Sequence, residues 1–165
     1  MPEKKTVERA RKAKREGKAP TTQAGEFVRE EMEHVRKGKH GARSPQQAIA
    51  IGLSKARRAG VKLPPPKQGK TSAKTRAQAA RDSRRGRSSR RRTTAPSRSR
   101  GVLRGLKREG REAASPEAIG RQARVSARRR GAASRHRAAQ RAVRPKGTTG
   151  LRQAARKAAR SRQAR

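Results

Sequence analysis

Apolar residues recur at helical spacing most clearly in the segment SPQQAIAIGLSKARRAG. Ile49 and Leu53 lie four positions apart, so they share one face of a helix with the small residues around them. Ser44, which precedes a proline, is typical of a helix N-terminus, and Gly60 is suited to ending the helix in a left-handed conformation. We therefore predict a helix over residues 45–59, with one apolar face that needs a partner.

A second apolar stripe at the same spacing precedes this helix and predicts a helix over residues 23–37. Thr22 is expected to cap its start, and Gly38 is expected to end it. Because the connection between the two helices is short, we expect them to fold back on each other as a hairpin. The predicted core of this hairpin consists of Phe27, Val28, Met32, Val35, Ile49 and Leu53.

Large apolar side chains are scarce in the chain as a whole. Val, Ile, Leu and Phe account for 16 of the 165 residues, well under the ~20% below which a highly charged chain is expected to be disordered. The expected fold class is all-α, with a small helical hairpin head at residues 21–66 followed by a long, largely disordered Arg-rich tail at residues 67–165. Residues 1–20 are predicted to be a frayed basic arm. Within the tail, the segments near 116–130 and 150–164 are expected to become helical only when phosphates neutralise their arginines.

Several classes of protein are excluded by what the chain lacks. It has no cysteine, which excludes disulfide scaffolds and thiolate metal sites. No apolar run approaches the ~20 residues of a transmembrane helix, and the N-terminus lacks the apolar core of a secretory signal. We therefore expect a cytoplasmic protein that does not associate with a membrane.

One pair of residues has the spacing of a metal site. Glu31 and His34 lie three positions apart, as in helical metal-binding proteins, and His40 follows nearby. Because such a pair lacks further ligands, an ordinary solvated helix face is the preferred interpretation, and neither a metal nor another cofactor is predicted. No grouping of acid, base and nucleophile is visible, so we predict no catalytic residues and no enzymatic activity. Phe27, the single aromatic residue, is assigned to core packing rather than to base stacking.

The residues of the hairpin also carry a resemblance to a known family. Residues 22–67, with the signature SPxQAIAIxLSxARRAG, resemble the head of a family of small, basic bacterial proteins, some of which are named plasmid stabilisation proteins. The resemblance implies a bacterial source and no particular activity. The tail resembles histone H1-type and protamine-like tails in composition.

Charge is the strongest functional signal in the chain. The formal net charge is +39, from 50 Lys and Arg against 11 Asp and Glu, and residues 64–165 alone hold 33 basic and four acidic residues. This excess predicts a polyanionic partner, namely double-stranded DNA bound through its phosphates without sequence preference, as by nucleoid-associated or plasmid-maintenance proteins. The residues assigned to phosphate contacts are Arg84, Arg85, Arg87, Arg90, Arg91, Arg92, Arg98, Arg100, Arg128, Arg129, Arg130, Arg156, Lys157 and Arg160.

Two other functions are compatible with the sequence. In one, the helical head recruits a protein partner while the tail supplies solubility or localisation. In the other, the protein is an RNA-associated or ribosome-associated basic protein. A homodimer through the head is a further expectation, because a hairpin of this size has little apolar surface to bury on its own.

Overall fold

A computed structural model describes residues 2–88, 96–143 and 147–163. The chain is helical throughout these ranges, apart from the connections. The helices are α1 (Lys4–Arg15), α2 (Pro20–Arg36), α3 (Pro45–Arg58), α4 (Ala73–Arg87), α5 (Pro96–Lys107), the 3-10 helix η1 (Glu112–Ala114), α6 (Pro116–Val143) and α7 (Gly147–Gln163). Among these described helices, none combines the length and the hydropathy that a bilayer crossing requires. The chain divides into two compact units, Met1–Gly120 and Arg121–Arg165.

The two helices predicted to form a hairpin correspond to α2 and α3, which pack against each other. α2 begins at Pro20 rather than after Thr22, because the proline occupies the first turn, where no backbone N–H is required. α3 begins at the predicted cap, where the Ser44 hydroxyl accepts a hydrogen bond from the Gln47 amide at 3.2 Å. It ends just before Gly60, which has a left-handed φ of 89°.

The contact between α2 and α3 is very close at Gly52. A Cβ atom at this position would lie 2.7 Å from the Cα atom of Val28 and 3.0 Å from the carbonyl oxygen of Phe27. Only glycine therefore allows the two backbones to approach in this way. The sequence pattern places Gly52 on the apolar face of α3, and its lack of a side chain sets the separation of the two helices.

Residues 1–20 contain a packed helix where a frayed arm was expected. α1 lies against α2 and buries Thr6, Ala10 and Ala13. These small side chains contribute little apolar area, but they allow one helix to approach another closely. The sequence interpretation considered mainly large apolar side chains, and it therefore missed this contact.

The buried apolar residues of the first unit form two clusters. One contains Met32, Val35, Ala42, Ala48, Ala113 and Ala114, and the other contains Ala10, Ala24, Phe27, Ala56 and Leu63. Three residues predicted for the core are buried, namely Phe27, Met32 and Val35, and three are half-buried, namely Val28, Ile49 and Leu53. Because most members of the two clusters are alanines, the core depends on close helix spacing rather than on large side chains.

The predicted disordered tail is wrong, because helices continue through the described residues beyond 66. α4 packs against α3 through Asp82, which is 2% exposed and accepts hydrogen bonds from Ser54 Oγ (2.7 Å) and Gln78 Nε2 (3.2 Å). Gly86 lies directly against the carbonyl oxygen of Arg57, where a side chain would not fit. A buried, hydrogen-bonded acid and a residue without a side chain thus dock an Arg-rich helix that has no large apolar residue.

The connection between α5 and η1 is also docked, through the backbone. The Gly41 amide donates to the Leu106 carbonyl oxygen (2.9 Å), and the Ala42 amide donates to the Gly110 carbonyl oxygen (3.0 Å). η1 then contributes two alanines to the core cluster around Met32. The loop after α2 is therefore an attachment point for residues that the sequence analysis assigned to the tail.

α6 and α7 are formed helices where only inducible ones were predicted. Ser115 caps α6 by accepting a hydrogen bond from the Ala118 amide (3.1 Å), and the alanine and arginine that dominate both helices have high helix propensity. α6 is interrupted at Gly131, where φ is 73° and ψ is 163°. Across the interruption, Arg135 Nη1 donates to the Ala127 carbonyl oxygen (2.9 Å), at the end of the first half of the helix.

Candidate nucleic-acid interface

The predicted phosphate-contacting residues of α4 lie on its solvent side. They are Arg84, Arg85 and Arg87, and all three are exposed. Lys74 and Arg81 are also exposed, and the spacing of seven residues from Lys74 to Arg81 and of four from Arg81 to Arg85 places the three on one helix face. Lys74 and Arg81 were not among the predicted residues, although their helical spacing to Arg85 is readable in the sequence. The buried Ala79 and Asp82 mark the packed side of α4.

α5 is exposed along almost its whole length. Arg100 is exposed on it, whereas the side chain of Arg98 and the whole of Arg90, Arg91 and Arg92 lie outside the described residues. Val102 and Leu103 are 59% and 43% exposed, so this helix presents apolar as well as basic side chains to solvent.

The first half of α6 carries a basic face. The predicted residues Arg128, Arg129 and Arg130 are exposed just before the interruption at Gly131. Arg121 and Arg124 are exposed as well, and their spacing of three and then four residues to Arg128 places these three side chains on one face. The sequence analysis missed Arg121 and Arg124, although this helical spacing was readable in the sequence.

α7 carries a regular row of arginines. The three residues predicted on this helix, Arg156, Lys157 and Arg160, are all exposed. Arg152 is exposed too, and it lies four residues before Arg156 as Arg156 lies four before Arg160. Successive arginines of this row are therefore about 6 Å apart along the helix axis.

The second unit has no acidic residue. Arg121–Arg165 holds 16 Lys and Arg and no Asp or Glu, so all 11 acidic residues of the chain lie in the first unit. In the part of the chain that the structure describes, no ion pair involves Arg84, Arg85, Arg87, Arg100, Arg128, Arg129, Arg130, Arg156 or Arg160. The positive charge of these residues is therefore available to an external polyanion.

The acidic residues of α2 are used inside the first unit. Glu26 pairs with Arg9 of α1 at 2.9 Å. Glu30 and Glu31, which are 2% and 1% exposed, both face Lys55 of α3. These pairs join the first three helices, so part of the basic charge of α1 and α3 is already neutralised.

Two groups near these pairs have shifted pKa values. Hydrogen bonds from His34 and Lys39 lower the pKa of the exposed Glu3 carboxyl to about 2. Burial lowers the pKa of the Arg57 guanidinium, which donates to two backbone carbonyl oxygens beyond the end of α3. Arg57 therefore serves the packing of the first unit and is not part of the exposed basic surface.

A cluster of three metal-ligating residues lies at the end of α2. Glu31, His34 and His40 each offer one ligand atom, and these atoms lie within 4.8 Å of one another. His40 Nε2 is 3.0 Å from Glu31 Oε1, and the two imidazole rings meet edge to face with their centroids 6.0 Å apart. The sequence analysis set the Glu31–His34 pair aside for want of further ligands, and the loop after α2 supplies one.

One family model matches the segment that contains the first three helices. Residues 4–68 match DUF6496, a family of unknown function. No curated protein and no solved structure matches the chain. Because the DUF6496 description names no activity, it does not test the plasmid-stabilisation name that some proteins of the resembled family carry.

The DUF6496 segment and the basic helices occupy different parts of the chain. The match covers α1, α2 and α3 and ends before α4 begins at Ala73. Glu31, His34 and His40 lie within the DUF6496 segment, whereas all residues predicted to contact phosphates lie beyond it. The two candidate sites therefore lie in different parts of the sequence.

Proposed function

We propose that this protein is non-enzymatic and binds double-stranded DNA without sequence preference, through contacts of arginine and lysine with phosphates. It would act as a nucleoid-associated or plasmid-maintenance protein in the bacterial cytoplasm. The observation that carries the proposal is the second unit, in which 16 Lys and Arg occur without an Asp or Glu. A homodimer through the head stays a prediction.

The spacing of the exposed arginines suits a phosphate backbone. Duplex DNA presents a charge about every 1.7 Å along its axis. Phosphates are therefore denser than the arginines of the row at Arg152, Arg156 and Arg160, which repeats about every 6 Å along α7, and each of these arginines can find one. Each guanidinium can bind a phosphate through two parallel hydrogen bonds. Such a row needs no contact with base edges, so it gives affinity without sequence specificity.

The shortage of aromatic residues favours a duplex over a single strand. Proteins that bind single-stranded nucleic acid stack the bases on aromatic side chains. The one aromatic residue of this chain, Phe27, is 1% exposed in the core of the first unit. Contacts with the backbone of a paired nucleic acid are therefore the mode that the exposed residues support.

A salt titration of binding to two unrelated DNA duplexes of equal length tests the proposal. If about 6 to 10 phosphates are neutralised, the logarithm of the association constant should fall against the logarithm of salt concentration with a slope of about −5 to −9. The slope should be the same for both duplexes. A slope near zero, or a strong preference for one duplex, would contradict the proposal, and tighter binding to duplex RNA in competition would reassign the partner to RNA.

A further inference from the structure

We propose that Glu31, His34 and His40 bind a divalent transition-metal ion, with Zn²⁺ as the best fit. The residues come from the last turns of α2 and the loop that follows it. Their ligand atoms lie within 4.8 Å of one another. His40 Nε2 and Glu31 Oε1, at 3.0 Å, are close to the separation of about 3.3 Å that two ligands of a tetrahedral Zn²⁺ have at bond lengths of about 2.0–2.1 Å.

His40 is oriented as metal-bound histidines are. Its side chain is 9% exposed, and Nδ1 lies 3.0 Å from the Gly41 carbonyl oxygen, which can only accept a hydrogen bond. Nδ1 therefore carries a proton. Glu31 Oε1, 3.0 Å from Nε2, also only accepts, so this contact requires a cation: either a second proton, which makes the ring an imidazolium, or a metal ion bound by the Nε2 lone pair in place of that proton. Histidines that bind metals have the same hydrogen bond from their second ring nitrogen.

His34 has comparable support from the N-terminus of the chain. Its Nε2 lies 3.0 Å from Glu3 Oε1, and a carboxylate only accepts hydrogen bonds, so Nε2 carries the proton and the lone pair of the neutral ring is on Nδ1. Lys39 Nζ donates to the same Glu3 oxygen at 3.0 Å, which fixes the carboxylate. A carboxylate that holds the second nitrogen of a ligating histidine is a common feature of zinc sites.

The balance of buried charge also favours a cation here. The buried carboxylates of Glu30 and Glu31 share one ammonium group, Lys55 Nζ, at 3.4 and 2.6 Å. Glu31 Oε2 is buried and, despite this contact, makes no hydrogen bond of good geometry with the described residues. With neutral histidines, one negative charge is left in excess, and uncompensated charge is costly to bury. A metal ion at Glu31 Oε1 compensates it while Lys55 keeps the other oxygen.

Two imidazoles and one carboxylate form a donor set that suits Zn²⁺, with water as a fourth ligand. The ion fastens the loop that carries His40 to α2. The same loop docks residues 106–110 through the amides of Gly41 and Ala42, so metal binding also stabilises that attachment. We assign the ion this fastening role, which does not depend on the proposed binding of DNA.

Titration of Zn²⁺ into the full-length protein, after removal of metal with a chelator, tests the proposal. We expect one Zn²⁺ per chain, shifts of the imidazole NMR resonances of His34 and His40, and a melting temperature that rises with Zn²⁺ concentration. His136, the third histidine of the chain, is exposed on α6 and is the internal control. Its resonances should not move at the same Zn²⁺ concentrations.

Substitutions provide a second, independent readout. His34→Gln and His40→Gln should each weaken Zn²⁺ binding by ~10-fold or more, whereas His136→Gln should bind as the parent does. Circular dichroism must show that each variant keeps its helices. If His40→Gln unfolds, the Zn²⁺ affinity of His34→Gln, a change at a half-buried position, decides the test. The proposal is overturned if Zn²⁺ leaves the His34 and His40 resonances of the parent unchanged, or if the double variant binds Zn²⁺ as tightly as the parent.

Discussion

The basic residues around α2 in the first unit and those of the second unit are used in opposite ways. In Met1–Gly120, acidic residues of α2 lie between α1 and α3, where Glu26 pairs with Arg9 and the buried Glu31 pairs with Lys55. In Arg121–Arg165 no acidic residue is present, and the described arginines with known side-chain positions face solvent. Basic residues that pair with the acids of α2 therefore help to hold helices together, whereas Arg152, Arg156 and Arg160 of the second unit are available to a polyanion.

α4 and α7 show how small a difference in sequence separates the two roles. Both helices are rich in alanine and arginine. α4 contains one acid, Asp82, which is buried against Ser54, and one glycine, Gly86, which lies against the backbone of α3. α7 contains no acid. The buried Asp82, which has no counterpart in α7, and the close contact at Gly86 therefore hold α4 against α3 although α4 has no large apolar residue.

The largest change in stability is expected for Gly52→Leu in the first unit, because the new side chain would collide with the backbone of α2. The free energy of unfolding should fall by about 3 kcal/mol, measured by urea denaturation. Gly101→Leu is the matched control, because a Cβ there meets nothing within 4 Å. The control should change the free energy of unfolding by less than about 1 kcal/mol. Equal effects of the two substitutions would show that α2 and α3 do not approach as described.

A smaller loss of unfolding free energy is expected for Asp82→Ala, which tests whether Asp82 holds α4 against α3. Removing the carboxylate leaves the Ser54 hydroxyl and the Gln78 amide without their acceptor, at a cost of about 2 kcal/mol. Amide hydrogen exchange of α4 should accelerate, while exchange in α2 changes less. Glu8→Ala on the exposed side of α1 removes the same charge and serves as the control. Unchanged exchange in α4 would mean that Asp82 does not hold the helix.

The smallest effect is expected for Gly131→Ala in the second unit. Alanine disfavours the positive φ of 73° at this position and favours a helix over glycine by about 1 kcal/mol. The two halves of α6 should therefore join into one helix, and circular dichroism should show more helix. Gly105→Ala in α5, a helical position in open space, controls for propensity alone. A gain no larger than that of the control would indicate that the interruption does not depend on glycine.

The fold could be predicted from the sequence where apolar side chains, caps and glycines differ clearly from the basic residues around them. Ser44 and Gly60 are strong local signals, and the bounds predicted for α3 differ from the observed Pro45–Arg58 by a single residue. Thr6, Ala10 and Ala13 of α1 also follow helical spacing, but threonine and alanine stand out little from a basic background. The packing of α1 therefore could not be recognised from apolar periodicity.

The candidate sites were predictable to different degrees for the same reason. Exposed arginines could be assigned to solvent from charge alone, but the docking of α4 depends on the small and polar side of the helix around Ala79 and Asp82. His40 could not be placed against Glu31 from sequence, because the loop that carries it is held by hydrogen bonds to residues 106–110. These backbone contacts join distant parts of the chain and leave no periodic pattern.

The central claim is that DNA binding depends on uncompensated arginines and not on positive charge in general. Two triple variants that remove the same charge test it most directly: Arg152→Gln, Arg156→Gln and Arg160→Gln on α7, and Arg9→Gln, Arg29→Gln and Lys37→Gln, which remove residues paired with Glu26 or Glu33 of α2. The salt dependence of duplex DNA binding is measured for both and for the parent. We expect the slope to decrease in magnitude by about 3 for the α7 variant and by less than about 1 for the second variant, because acidic residues already pair with the side chains that it removes. Equal decreases for the two variants would contradict the claim.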